Sequence, residues 1–270
     1  MTALVFGLRA QPSQRLDLSA LTPDRLAGLT ESDIAAIELQ TTRERVCVGD
    51  VFRLQMGDAA QLVFAGGSER FDRVGLAMTR GAIRVEGDVG IQAGRLMSGG
   101  RLDIAGNAGP WAASRLKGGV VEIGGAAGSR LGGPLAGETS GMRGGIVVVR
   151  GDASARAADR LRRGIIIIEG RTGAQPGSRM IAGTLILRRR AGLLPGYLMA
   201  RGSIIAAEDC EQMSPSFSDC GVHDLVATRL MADFIRPYSA ELAAMLRRPW
   251  RRFLGDMAVI GKGEILTPAA

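Results

Sequence analysis

The chain has 270 residues, a formal net charge of +7 and 46% hydrophobic side chains, which bounds it to one large or two small folded domains. Aromatic residues make up only 4%, which argues against a stacking platform for single-stranded nucleic acid, and the longest apolar run of the central region, at 165–168, falls far short of the roughly 20 residues of a membrane span. The start MTALVFGLRA lacks a signal-peptide layout, so the expectation is a cytoplasmic protein that binds neither membrane nor nucleic acid and whose basic balance suits an acidic partner.

Residues 1–59 read as an N-terminal cap. Within LTPDRLAGLTESDIAAIEL, Thr22 followed by Pro23 forms an N-cap and first-turn pair for a short helix. The segment VCVGDVFRLQMG then reads as strands leading into a degenerate repeat, AQLVFAGG, at 60–67.

Residues 60–212 are an array. The pattern G-x-[ILV]-x-[ILV]-x-G starts at Gly81, Gly100, Gly119, Gly145 and Gly164, and in worn form at Gly183 and Gly202, with spacings of 19, 19, 26, 19, 19 and 19. Fixed self-similarity of this kind means that each unit stacks on the last. Apolar residues alternate inside each phrase, as in Ile83 and Val85 or Ile166 and Ile168, which is the period of a strand. A second apolar column stands three residues before each phrase, at Met78, Met97, Leu116, Met142, Leu161, Met180 and Met199. Nineteen residues at ~3.3 Å each span roughly 60 Å, enough for one turn of a wound coil, and coils stacked ~4.8 Å apart make a right-handed parallel β-helix. The fold class is therefore mainly β. Glycine columns at Gly87, Gly106, Gly125, Gly151 and Gly170, and at Gly90, Gly109, Gly128, Gly173 and Gly192, mark corners that need positive φ or close backbone approach. A phosphate-cradling reading of these glycines fails because no helix pattern follows the strands.

The 119–145 unit carries seven extra residues within GGPLAGETSGMRGG, expected to loop out without disturbing register and to touch a partner. The outward positions of the strands run Arg84, Asp103, Glu122 and then Val148, Ile167, Ile186 and Ile205, flanked by Ile146 and Ile165. Stacked aliphatics of this extent exceed what a monomer exposes, so the C-terminal region or a partner must cover them. The polar start of that column is the one candidate for groove-type acid–base chemistry, and because the column turns apolar at Val148 that start reads instead as a solvated face.

Residues 213–270 read as a helical cap. VHDLVATRLMADFIRP places Val222, Leu225, Val226, Leu230, Phe234 and Ile235 at helical spacing, and SAELAAMLRR is a second short helix ending at Pro249. Cys47, Cys210 and Cys220 read as free thiols, since the C-x9-C-x2-H arrangement with His223 is no recognised zinc site and lacks a fourth ligand. No catalytic or metal residue emerges. The position after the Met column reads Lys117, Arg143 and Arg162 on successive units, with Arg163 and, two units later, Arg201 on the adjoining column. Like charges ~5 Å apart repel by on the order of 3 kcal/mol at an effective dielectric of about 20, so the row either splays into solvent or meets an acidic surface.

The array, with AGRLMSGG at 93–100 and SGMRGG at 140–145, resembles the GXGXG domain shared by glutamate synthase and the C subunit of formylmethanofuran dehydrogenase. The tail RRFLGDMAVIGKGEIL at 251–266 is similar to the closing motif of the latter family, which includes the C subunits of the formyltransferase/hydrolase complexes of methylotrophic bacteria. The resemblance implies a non-catalytic subunit of a hetero-oligomer in one-carbon metabolism and formaldehyde oxidation. There the formyl group passes from formyl-tetrahydromethanopterin to a furan carrier, methylofuran in bacteria or methanofuran in archaea, and formate is released. It implies catalytic sites on other subunits, no cofactor held tightly by this chain, and a glutamate-rich carrier tail that Lys117, Arg143, Arg162 and Arg163 could meet in place of an acidic partner. A single histidine and the lack of a cysteine cluster agree with this division, and arginine and alanine richness favours the bacterial, non-redox version over a tungsten or molybdenum dehydrogenase or a glutamate-synthase-like protein.

Overall fold

The computed structural model describes residues 2–210 and 212–269. The N-terminal region comprises strand β1 (Ala3–Leu8), β2 (Leu16–Asp17), helix α1 (Pro23–Leu26), α2 (Glu31–Ala35), β3 (Glu38–Thr41), β4 (Val46–Cys47), α3 (Val48–Val51), β5 (Phe52–Gln55), β6 (Asp58–Ala65) and β7 (Phe71–Asp72). Thr22 is the N-cap of α1, with Pro23 opening it. α2 adds a capping box of Thr30 with Asp33. The segment expected to be all strand is broken by α3, where the Asp50 carboxylate accepts the Cys47 N–H at 2.8 Å and starts a helical turn.

The repeats supply β8 (Ala82–Val85), β9 (Arg101–Ile104), β10 (Val120–Ile123), β11 (Arg143–Val149), β12 (Arg163–Ile168), β13 (Thr184–Leu187) and β14 (Arg201–Ala206). The C-terminal region adds β15 (Ser218–His223), α4 (Val226–Ile235), α5 (Ala240–Met245), β16 (Trp250–Gly255) and β17 (Lys262–Pro268). It is not helical alone, because β17 joins β14 in parallel and β16 and β15 extend the sheet antiparallel. The result is a mainly β protein with one 13-stranded sheet, ordered β15-β16-β17-β14-β13-β12-β11-β10-β9-β8-β6-β1-β5, beside a small sheet ordered β4-β3-β2-β7.

Equivalent residues of successive units lie side by side. Ile83, Leu102, Val121, Val147, Ile166, Leu185 and Ile204 form one chain of parallel partners, which Ile265 of β17 continues. Val121 faces Val147 across the longer unit, so the seven extra residues leave the register intact. A second line of bridges joins Val89, Ala108, Ala127, Ala153 and Thr172. A third follows the Met column, whose carbonyls accept N–H groups of Ser98, Lys117, Arg143, Arg162, Ile181 and Ala200 at 2.6 to 2.9 Å. The inward apolar residues of all three lines form the core, with Met78, Met97, Leu116, Met142, Leu161, Met180 and Met199 fully buried.

Apart from Gly87 (φ 153), the glycine columns serve close approach and not positive-φ backbone. A Cβ on Gly106 would lie 2.6 Å from the Gly87 carbonyl carbon, and none of Gly106, Gly125, Gly151 or Gly170 has positive φ. Left-handed backbone falls instead at the first glycine of each phrase, as at Gly145 (φ 81), and at a run of other residues including Leu96, Arg115 and Arg160. Bonds to the next unit hold the latter, as where Leu96 N–H donates to Ser114 O at 3.0 Å.

Val148, Ile167, Ile186 and Ile205 are covered by α4 and α5, packing with Ala232, Ile235, Leu242, Ala243, Leu246 and Trp250 in a second core. Of the six residues expected on one side, Leu225 and Ile235 do face the sheet and the other four do not. Thr228, Ala232 and Ile235 are buried, with Leu225 and Met231 packed beside them, whereas Val222, Val226, Leu230 and Phe234 are exposed. Small Ala232 and a Thr228 hydroxyl satisfied by Leu225 O at 2.8 Å let α4 lie close against the sheet, which larger residues on that side would prevent.

Candidate functional site

The Met column dictates what stands beside it. Its side chains point into the core, so the residues that follow emerge along the edge where the strands begin. Lys117, Arg162 and Arg163 are exposed there, and Arg143 is half-buried with its Nε donating to Ser140 Oγ at 3.0 Å. Arg143 and Arg163 face each other across β11 and β12. Among the described residues none of these four side chains makes an ion pair. Past Ile181 and Ala182 of the intervening unit, the edge resumes at Arg201 of β14, which is exposed and paired in register with exposed Lys262 of β17. Lys262 belongs to the same charged edge, a membership hidden in the sequence because β17 reaches the stack after an excursion of about sixty residues with no 19-residue period to announce it.

The long unit folds back on the protein. Glu138 accepts from Arg95 Nη2 at 2.7 Å, Arg115 Nη1 at 3.0 Å and Leu135 N–H at 2.9 Å, while Arg160 donates to its carbonyl at 2.9 Å. Burial works to raise the Glu138 pKa, but the hydrogen bonds from Arg95, Leu135 and Arg115 outweigh it and hold the carboxyl down at about 2. Only Ala136, Gly137 and Thr139 remain exposed at the tip.

The outward carboxylates are also committed. Arg101 bridges Asp103 and Glu122 at 2.7 and 2.6 Å, and Arg150 bridges Glu122 and Glu169 at 2.6 and 2.7 Å while donating to Tyr238 O at 2.8 Å. Burial again works to raise the Glu122 pKa, and Arg150 and Arg101 overcome it, leaving the carboxyl below its ordinary range. A general acid needs the opposite shift. This network therefore ties the helical cover to the sheet.

Cys47, Cys210 and Cys220 are free thiols. Burial, with the Asp209 charge, pushes the Cys210 thiol up to about 12, so it stays protonated and inert. His223 and Cys220 share β15, the imidazole Nε2 lying 2.9 Å from the Cys220 carbonyl, and no three His, Cys, Asp or Glu side chains gather as metal ligands among the described residues. No helix of the described residues is long and apolar enough to cross a membrane.

No family model matches the chain. Over 83 residues it is 45% identical to the C subunit of the formyltransferase/hydrolase complex Fhc of Methylorubrum extorquens, a stretch that covers 31% of this chain and 31% of that relative. A chain in the crystal structure of the formyltransferase/hydrolase complex FhcABCD of the same organism, determined in complex with methylofuran, superposes with a TM-score of 0.95 at 40% identity, covering 98% of this chain and 100% of that one. The chain belongs to the Fhc C-subunit family. Likeness from end to end means that the array, the covering helices and the returning tail strand are all features of the fold of this family. The charged edge and the exposed face of α4 are then surfaces of a protein whose relative was crystallised inside a larger assembly.

Proposed function

We propose that this chain is the non-catalytic scaffold subunit of a formyltransferase/hydrolase complex, whose other subunits move a formyl group from formyl-tetrahydromethanopterin to a furan carrier and release formate. The observation that carries the reading is the end-to-end likeness to a chain of a complex crystallised with methylofuran. That likeness also favours the hydrolytic complex over the tungsten or molybdenum version. The exposed stripe of Val226, Leu230 and Phe234, each more than half exposed, supports it, because apolar patches of this kind mark association surfaces. The three lines of stacking support a right-handed parallel β-helix of 19-residue coils at 60–212, between caps at 1–59 and 213–270. Such a stack is stiff along its axis, as a platform for partner subunits should be.

In this reading Lys117, Arg143, Arg162 and Arg163 receive an acidic surface of a partner subunit in the cytoplasm. The glutamate-rich tail of a furan carrier is the second occupant of suitable chemistry, since arginine forks pair with successive carboxylates without fixing one register. Expression of the tagged chain with its partner subunits tests the function: all subunits should co-elute, and the chain alone should show neither formyl transfer nor hydrolysis. Activity of the isolated chain, or elution without partners, contradicts it. Replacing Arg143 and Arg162 by Ser then separates the occupants. Equal loss with carriers of long and short glutamate tails, or subunit dissociation, is expected for a protein partner, and a loss confined to long-tailed carriers assigns the row to the tail.

A further inference from the structure

We propose that the turn at residues 256–261 is a docking plug that enters an apolar socket, bordered by carboxylates, on a partner protein subunit. This deepens the scaffold reading and rests on it. The turn is firmly built. The Asp256 side chain is buried and accepts the N–H groups of Leu198 at 3.0 Å and Ala258 at 2.9 Å, and its carbonyl accepts those of Val259 and Gly261, both at 3.1 Å. Met257 N–H donates to Ser216 O at 3.0 Å, and Gly261 takes φ 63 with the Met257 sulfur packed over it. The turn also ends a ladder: Met199, the last of the Met column, offers its carbonyl to Asp256 N–H at 3.4 Å, where each earlier unit offers the same carbonyl to the next.

This ordered backbone displays large apolar side chains. Met257, Val259 and Ile260 are 54%, 42% and 55% exposed, at a turn where polar residues would close the chain equally well. Cations border them. Lys262 follows directly and lies in register with Arg201, and both are exposed. Glu264, the acid nearest along the strand, is occupied by Arg252 at 2.8 Å and Ser203 at 2.6 Å, so it does not neutralise the pair. Arg163 stands three strands further along the same edge, roughly 14 Å away at the usual strand spacing. Ile181 and Ala182 of the intervening unit separate it from Arg201, so the plug and its own pair of cations form one patch, whose complement is an apolar hollow bordered by carboxylates. A second copy of this chain is a poor occupant, since a two-fold contact would set Arg201 and Lys262 against themselves. A lipid surface is also poor, because three side chains bury little and stable anchoring needs a stronger apolar element.

The test uses the complex assembled by co-expression, with a partner subunit tagged and two double variants, Met257→Ser with Ile260→Ser, and Arg201→Glu with Lys262→Glu. All four residues are exposed on one edge, and circular dichroism melts of the isolated variants check that they fold. Each pair should lower the amount of this chain retained on the tagged partner at least tenfold, and wild-type retention should weaken with added salt. Retention of both folded variants at the wild-type level overturns the proposal. So does loss of carrier alone from an intact complex, which assigns the edge to the glutamate tail, or variant-sensitive binding of the isolated chain to anionic phosphatidylglycerol vesicles with assembly unchanged. A wild-type chain that never associates with the partners strikes the scaffold reading itself and this proposal with it.

Discussion

Gly145 shows two separate costs of a side chain at one position. Its φ is 81, and a Cβ there would lie 2.7 Å from Gly119 O, whereas Gly137 has φ 82 and open space around it. Gly137→Ala should cost about 1 kcal/mol from left-handed backbone alone, and Gly145→Ala about 3 kcal/mol or more once the clash is added; urea unfolding of the two variants measures the difference. Glu138 makes a claim about pH. Its folded pKa of about 2 lies below the ordinary 4.5, so it stabilises the fold above pH 4.5 and loses that contribution as pH falls toward 2. Glu138→Gln should lower stability by on the order of 2 kcal/mol at pH 7, with solvent at the loop trimming the full linkage value, and the gap to wild type should shrink below pH 4.5 and close only as pH reaches about 2. Neither the Glu138 clamp nor the left-handed Leu96, Arg115 and Arg160 was legible in the sequence. Both arise from contacts between units, across 18 to 43 residues, and leave no local signature.

At the scale of elements, repeats were the readable part, because the same alternation in every unit leaves one register that buries every inward residue. Outward Val148, Ile167, Ile186 and Ile205 likewise announced that something lies over them. Which residues of α4 do so was only partly readable, since Leu225 and Ile235 of the bulky set face the sheet while Thr228 and Ala232 take the places that Val226, Leu230 and Phe234 looked fit to fill. Close packing on a sheet selected the smaller set. Ile186→Ala should cost about 2–4 kcal/mol and expose the amides of α4 and α5 to hydrogen exchange ahead of those in β11 and β12. Leu230→Ser with Phe234→Ser should leave the melting of the isolated chain nearly unchanged, because both side chains are already in water.

Across the whole molecule, the parts that vary from unit to unit lie at the surface while the core repeats. The charged edge beginning at Lys117 was legible from the column beside the buried methionines, but its last member and the apolar turn were not, because β17 enters the stack through β15, α4, α5 and β16 and not through a repeat. If the chain is the scaffold proposed above, it contributes surfaces in a fixed order and leaves chemistry to its partners. Omitting this chain from co-expression of an otherwise complete formyltransferase/hydrolase complex tests that most directly. The remaining subunits should then no longer co-purify as one species, and formyl transfer and hydrolysis, followed as formate release, should lose their coupling; a complex that assembles and releases formate at the full rate without the chain would rule out the scaffold role.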